Sequence, residues 1–251
     1  MKKIIIFFLF CFFITSNIVS AETLNYTNLE NHYSFTLPSG WREIRKSTID
    51  EKYQNIAKQA GTKYIEYVAG FQPQNVLDFQ YPYFLVQEHK IDTPSLDQIV
   101  QAFKSDNFTG NVGNVADKYS EYMTNASLQE PFVDKERNIL FISFEMDVIN
   151  VGKVKTLAVM FLGKKNIIQL NFNSLDSQYS EYLPIFNEII NTFKFEKGFE
   201  YNPEEAKKND TPSFFESTFE KIITTAITGV SVFLVLKMLS RSKNRKSKKN
   251  K

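Results

Sequence analysis

The chain has 251 residues and a formal net charge of +2, with 43% apolar and 15% aromatic residues. That composition excludes a disordered or collagen-like chain, and the length suits one ordinary globular domain with shorter segments at its ends. The single cysteine, Cys11, lies in an apolar leader, so the rest of the chain has no disulfide, thiolate metal site or cysteine nucleophile.

The leader comes first. Lys2 and Lys3 precede an apolar core from Ile4 to about Thr15, and Val19-Ser20-Ala21 follows. This is a basic n-region, an h-region and a small-residue cleavage site, so residues 1–21 are expected to be a signal peptide with Glu22 as the first mature residue. Cys11 is preceded by Phe8-Leu9-Phe10, where a lipoprotein signal would carry small residues. Next, Tyr33-Ser-Phe-Thr-Leu37 alternates as a strand and ends at the turn signal Pro38-Ser-Gly40, directly before Trp41. Ser47 or Thr48 is placed to cap a helix through about Ala60, with Ile49, Tyr53, Ile56, Ala57 and Ala60 on one face and Gly61 closing it. Residues 63–71 and 83–91 read as strands. Thr93-Pro94 opens a helix over Leu96, Ile99, Val100 and Phe103. Residues 105–117 read as a loop.

Four strands are then expected in succession, at about 126–134, 139–149, 153–162 and 166–173, joined by short hairpin-type turns. In the second, Leu140, Ile142, Phe144, Met146 and Val148 give an apolar face with period two. Successive strands with short links make an antiparallel meander. A last helix over about 177–191 carries Tyr179, Tyr182, Leu183, Phe186, Ile189 and Ile190, and a short Phe193-Lys-Phe195 piece follows. Apolar helical stripes need a sheet to cover, so the fold class is α+β, an antiparallel sheet flanked by helices.

Residues 197–220, with Gly198, Pro203 and Pro212 among many charged residues, read as a linker. Phe214, Phe215 and Phe219 would reach interfacial depth. Residues 221–239 are expected to form one transmembrane helix. The 222–236 stretch has no charge, and 18 residues from 222 to 239 span about 27 Å as a helix, near the short end of what a bilayer needs. The 240–251 tail is basic and free of acids, which places it in the cytoplasm and the 22–196 domain outside the cell membrane. Lys237, Arg241, Lys243, Arg245 and Lys246 are candidate contacts to lipid headgroups.

The near-neutral total hides an asymmetry. All 28 acids but only 19 of the 30 cations fall in residues 22–220, a net charge of −9. So acidic a domain is not built for nucleic acid.

Tyr33-Ser-Phe-Thr-Leu-Pro-Ser-Gly-Trp41, with its strand running into a P-x-G-W corner, resembles the opening of the PsbP-like family. The final helix, Tyr182-Leu-Pro-Ile-Phe-Asn-Glu-Ile-Ile-Asn-Thr-Phe193 with an aromatic strand after it, is similar too. The resemblance covers about residues 24–196. It implies the α/β/α sandwich shared with the Ran-binding Mog-type fold, in an exported bacterial PsbP-related protein. It also implies a binding module; it does not imply photosynthesis, since no plastid-type transit peptide is present.

Motifs for catalysis are missing: no Gly-rich phosphate loop, no H-E-x-x-H, no G-x-S-x-G. The two histidines, His32 and His89, have no ligand spacing, though either could meet Glu30 or Glu88. Asp176, Glu181 and Glu188 read as a solvated helix face. Trp41 reads as structural. No cofactor and no metal are assigned. Phe79, Tyr81 and Tyr83, in the link from Gln72 to Tyr83, are the candidate partner-binding residues, as aromatics on a loop suit protein recognition; the alternative is that they belong to the core. The expected function is a membrane-anchored extracytoplasmic binding or assembly module that meets another envelope protein. An envelope sensor of a small ligand or metal is the second reading, and an uncharacterised hydrolase the third.

Overall fold

The computed structural model describes residues 23–61, 63–91, 93–104 and 123–206. Eight strands form one antiparallel sheet in the order β3-β4-β5-β10-β9-β8-β6. They are β3 (Trp41–Glu43), β4 (Ala69–Pro73), β5 (Tyr83–Lys90), β6 (Met123–Leu128), β7 (Phe132–Asp134), β8 (Ile139–Val148), β9 (Gly152–Leu162) and β10 (Asn166–Leu175), with β7 also paired to β8. A second, three-stranded sheet runs β1 (Leu24–Asn28), β2 (Tyr33–Leu37), β11 (Lys194–Phe195). The helices are α1 (Lys46–Ala60), α2 (Leu96–Lys104), α3 (Asp176–Thr192) and the short α4 (Pro203–Ala206).

Two apolar clusters lie on opposite faces of the large sheet. Leu140, Ile142, Phe144, Met146 and Val148 of β8 pack on one side with Ile49, Tyr53 and Ile56 of α1 and Ile99 of α2. This is the face that the alternation in 139–149 marks out. Phe84, Val159, Leu170 and Phe172 point to the other side, against Phe35 and Leu37 of β2 and Phe186, Ile189 and Ile190 of α3. Each such side chain taken fully from water contributes about 1.5–3 kcal/mol. With both faces covered, β9 and β10 are buried along most of their length. Trp41 packs on Phe84 and Phe186, with ring centroids 5.8 and 6.5 Å away, and is structural as expected. The architecture is the α+β sheet flanked by helices that the sequence implies.

Several boundaries differ. Strands β1 and β3 are absent from the sequence reading: β1 is an exposed edge whose Leu24-Asn-Tyr-Thr-Asn28 carries little apolar signal, and β3 is only three residues long. The 63–71 strand shrinks to β4, beginning at Ala69. Helix α1 starts two or three residues early, after Arg45, with no side-chain cap, whereas Gly61 closes it in the left-handed conformation as expected (φ 61°). The cap of α2 is Ser95, not Thr93. Ser95 Oγ accepts from Gln98 N at 3.3 Å, and Gln98 Oε1 accepts from Ser95 N at 2.9 Å, a reciprocal capping box.

Residues 197–206 are part of the domain, not the beginning of a free linker. Gly163 bridges to Glu200. Tyr201 Oη accepts from Leu96 N at 3.1 Å and donates to Pro94 O at 3.3 Å. Lys164 Nζ lies 3.2 Å from Glu205. The expected signal peptide, transmembrane helix and basic tail, with Lys237, Arg241, Lys243, Arg245 and Lys246, lie outside the described residues, as does the 105–117 loop. Among the described residues, no helix is long and apolar enough to cross a membrane.

Candidate functional site

The β7–β8 turn opens one wall of a cleft. Asp134 Oδ1 accepts from Glu136 N at 3.1 Å and Arg137 N at 3.0 Å, folding the turn on itself. Its other oxygen accepts from Arg137 Nε at 2.6 Å. These bonds, the Arg137 backbone first, hold the Asp134 carboxyl below the usual range. Arg137 Nη1 reaches on to Asn191 Oδ1, 2.8 Å away at the end of α3. The second wall is β11 and the residues after it. Between them lies a cleft of ≈ 430 Å³ floored by Ile139, Phe161, Leu162 and Ile190, all buried.

Aromatic rings shape that floor. Phe193 stacks on Phe161 with centroids 3.7 Å apart and meets Phe195 edge-on at 5.2 Å. The close fit of Phe195 and of the Asn166 side chain depends on Gly163: a Cβ there would lie 2.9 Å from the Phe195 ring and closer still to Asn166 Oδ1. Thr192 fixes the end of α3 to β2, its Oγ1 accepting from Thr36 N at 3.0 Å. The outer segment is braced by His32, whose ring stacks on Phe199 at 3.6 Å and whose Nδ1 lies 2.8 Å from Glu196 Oε2. The rim carries Arg137, Lys194, Asn138, Asn191 and Glu200. Lys194 has no ion pair among the described residues, so its ammonium is open to a ligand. Arg137 is already paired with Asp134 and Asn191, and Glu200 stands on the same rim, so the group left free over the aromatic floor is the Lys194 ammonium, which suits a polar group carried on an apolar body. Sequence reasoning missed this cleft because its residues come from five separate stretches, and none carries a local motif.

The expected aromatic loop is not a surface. Phe79, Tyr81 and Tyr83 are 1%, 9% and 0% exposed. The loop folds inward because Gln72, itself buried, accepts from Phe79 N at 2.9 Å and donates to Val76 O at 2.9 Å. Tyr81 and Tyr83 stack with centroids 5.4 Å apart, and Tyr53 and Tyr67 pack at 4.5 Å. Burial raises the phenol pKa values of Tyr53, Tyr81 and Tyr83, with desolvation the leading cause in each. The large apolar residue that the loop leaves exposed is Leu77.

The two histidines lie on separate elements with separate partners. His32 pairs with Glu196, not with Glu30 or Glu88. His89 Nε2 lies 3.0 Å from Gln169 Oε1 inside the sheet. Glu30 instead pairs with Lys90 at 2.8 Å, and Glu88 accepts from Asn28, Asn31 and Tyr33. Asp176 lies 2.9 Å from Lys155, which also reaches Glu145 at 3.2 Å. Glu181 and Glu188 are exposed, as a solvated helix face would be.

No family model and no curated protein matches the chain. Among solved structures, a cyanobacterial PsbP from Synechocystis is similar, at 14% identity and a TM-score of 0.49, over 72% of this chain and 96% of that one. The Ran-binding protein Mog1p of Saccharomyces cerevisiae is similar at 10% identity and a TM-score of 0.40, over 70% and 96%. LpqN of Mycobacterium tuberculosis, described as involved in cell envelope biogenesis, is similar at 11% identity and 0.38, over 69% and 90%. The PsbP and Mog-type folds of the sequence resemblance are thus both among the similar structures. Likeness at this level carries no partner, activity or location to this chain.

Proposed function

We propose that the chain is a membrane-anchored extracytoplasmic binding module that meets an envelope protein partner through the cleft between the β7–β8 turn and β11. The observation that carries this reading is the cleft itself: Lys194 without an ion pair among the described residues and Arg137 beside it, over the stacked Phe161 and Phe193. On a domain whose 22–220 stretch has a net charge of −9, the Lys194 ammonium is a local cation that a partner's carboxylate could meet, and the overall charge keeps such contact weak and specific to that point. The anchoring half of the reading is supported by the uncharged 222–236 run, the basic residues after it and the leader-like residues 1–21. An anchored module searches in two dimensions, so a weak site suffices.

The test is affinity capture of the full-length chain from detergent extracts, comparing the natural protein with Lys194→Glu. Lys194 is exposed, so the variant keeps the fold and reverses the rim charge. The reading expects a partner that the natural protein retains and the variant loses several-fold. Equal retention by both would remove the cleft from the function. A small-ligand sensor is the second reading, favoured by the cleft volume of ≈ 430 Å³, within the range of small-molecule pockets. It expects a compound of low mass to co-purify and shift the melting temperature, with no protein partner lost on Lys194→Glu.

A further inference from the structure

The chain leaves the described domain at one end of the large sheet. Ala206 closes α4, which is held by Lys164 of the β9–β10 turn through Glu205, 3.2 Å away. Three turns meet at this end. Glu196 N donates to His32 O at 2.8 Å, which joins the stretch after β11 to the β1–β2 turn. Lys164 N donates to Phe199 O at 2.9 Å, which joins the same stretch to the β9–β10 turn. Two large apolar side chains stand out from these turns. Leu29 is 74% exposed, and Phe199 is 39% exposed although the His32 ring covers one of its faces. Acids beside them are engaged: Glu30 lies 2.8 Å from Lys90, and Glu196 lies 2.8 Å from His32. Glu200 accepts from Gly198 N at 2.6 Å. Lys165 and Lys197, in the same turns, are exposed and form no ion pair among the described residues. Single exposed apolar residues are ordinary. Here two share one end with two open ammoniums, and the chain runs on from that end towards the uncharged 222–236 stretch. Residues 207–221 lie between, and a segment of that length spans at most about 50 Å.

We propose that this end of the domain is a lipid-binding surface, with Leu29 and Phe199 at the boundary of headgroups and acyl chains and Lys165 and Lys197 against lipid phosphates. The proposal rests on the anchored reading of the chain and goes beyond it, because a tether alone leaves the orientation of the domain free. Two side chains would hold such a surface weakly on their own. The tether makes the contact intramolecular, so a weak contact suffices. The net charge of −9 over residues 22–220 repels an anionic bilayer elsewhere on the domain, which confines the contact to the end with open lysines. Lys194 and Glu200 of the cleft rim are within two residues of this stretch, so the same orientation brings the cleft to the membrane surface.

The test uses the mature chain, residues 22–251, which has no cysteine. It is reconstituted into vesicles of phosphatidylcholine with a minor share of phosphatidylglycerol. Leu29→Cys carries a polarity-sensitive fluorophore, and lipid brominated on its acyl chains is the quencher. Leu77→Cys is the control. Leu77 is as exposed, at 72%, but lies in the loop that enters β5, at the opposite end of that strand from Lys90 and Glu30. The Leu29 probe is expected to shift to the blue and to lose most of its emission in brominated vesicles, while the Leu77 probe keeps its emission. Lys165→Glu with Lys197→Glu should weaken the quenching at Leu29; quenching that survives both changes in full overturns the phosphate contact. A chain that floats with the vesicles while its Leu29 probe is quenched no more than the Leu77 probe overturns the proposal and leaves the anchor standing. A chain that does not float with them overturns both. Emission that follows protein density and not bromine content assigns the patch to a second copy of the chain and overturns the proposal as well.

Discussion

Lys52, buried on α1, burdens the fold in a way that depends on pH. Burial brings its folded-state pKa down to about 7, below the 10.5 of an ordinary lysine. Between those values the unfolded chain holds a proton that the folded chain lacks, so stability rises with pH from about 7 towards 10.5 and levels off below. Replacing Lys52 by Met keeps the length of the side chain and removes the buried charge. Urea denaturation at pH 7 should show Lys52→Met more stable by a few kcal/mol, with a flatter pH profile above 7; an unchanged profile would mean that the ammonium is solvated. Gly163 gives a second prediction. A methyl at this position must displace the Phe195 ring, 2.9 Å from the Cβ, and the Asn166 side-chain oxygen, which lies closer still, and Gly163→Ala should cost about 1–3 kcal/mol in the same measurement. Single residues are where the sequence was least legible. Phe79, Tyr81 and Tyr83 have the composition of a recognition loop, and what turns them inward is a side-chain amide, Gln72, whose two bonds leave no trace in a hydrophobicity pattern. Lys52 likewise resembles any polar residue on an amphipathic helix until the Phe79 ring is placed beneath it.

At the scale of elements, periodicity did most of the work. The apolar face of β8, the face of α1 and the Gly61 stop are all local signals, and each holds. Caps and edges were harder. Ser95, and not Thr93, begins α2, because the Gln three residues beyond Ser95 can close the box from the other side. Ser95→Ala should therefore cost about 1 kcal/mol, while Thr93→Ala leaves the cap intact; equal losses on thermal unfolding would contradict this assignment. In β10 the alternation misleads: Gln169, Asn171 and Asn173 look like a solvent face, yet all three are buried. Most of their polarity is answered inside the sheet, where Thr156 Oγ1 donates to Asn173 Oδ1 at 2.9 Å and Gln169 Nε2 to Asn171 Oδ1 at 2.6 Å, while Asn171 Nδ2 has no hydrogen-bond partner among the described residues. Thr156→Val keeps the shape and leaves Asn173 short of a partner. It should cost about 1–2 kcal/mol, measurable by chemical denaturation, and a neutral result would mean that the bond contributes nothing. A buried strand of this kind cannot be told from a half-exposed one by period alone, since both alternate.

For the whole molecule, the sheet with helices on its faces follows from the order of elements, because apolar stripes on α1 and α3 have only a sheet to cover. The cleft does not follow in the same way. Arg137, Asn191 and Lys194 come together through the return of β11 to β2, and the sequence shows no sign of that pairing beyond the resemblance at Phe193. The domain also extends past residue 196, tied down by Tyr201 and Glu205, so fewer residues separate it from the proposed membrane helix than composition suggested. That shorter tether would keep the cleft near the bilayer, within reach of a partner in the same membrane.

Placement outside the membrane is the claim on which this function rests, and protease shaving of intact cells with their outer barriers permeabilised tests it most directly. The account predicts that protease added from outside degrades the 22–206 domain while a small fragment containing residues 222–251 stays protected in the membrane pellet. A domain that survives until the cell membrane is broken, or full-length chain recovered in the soluble fraction, would contradict it.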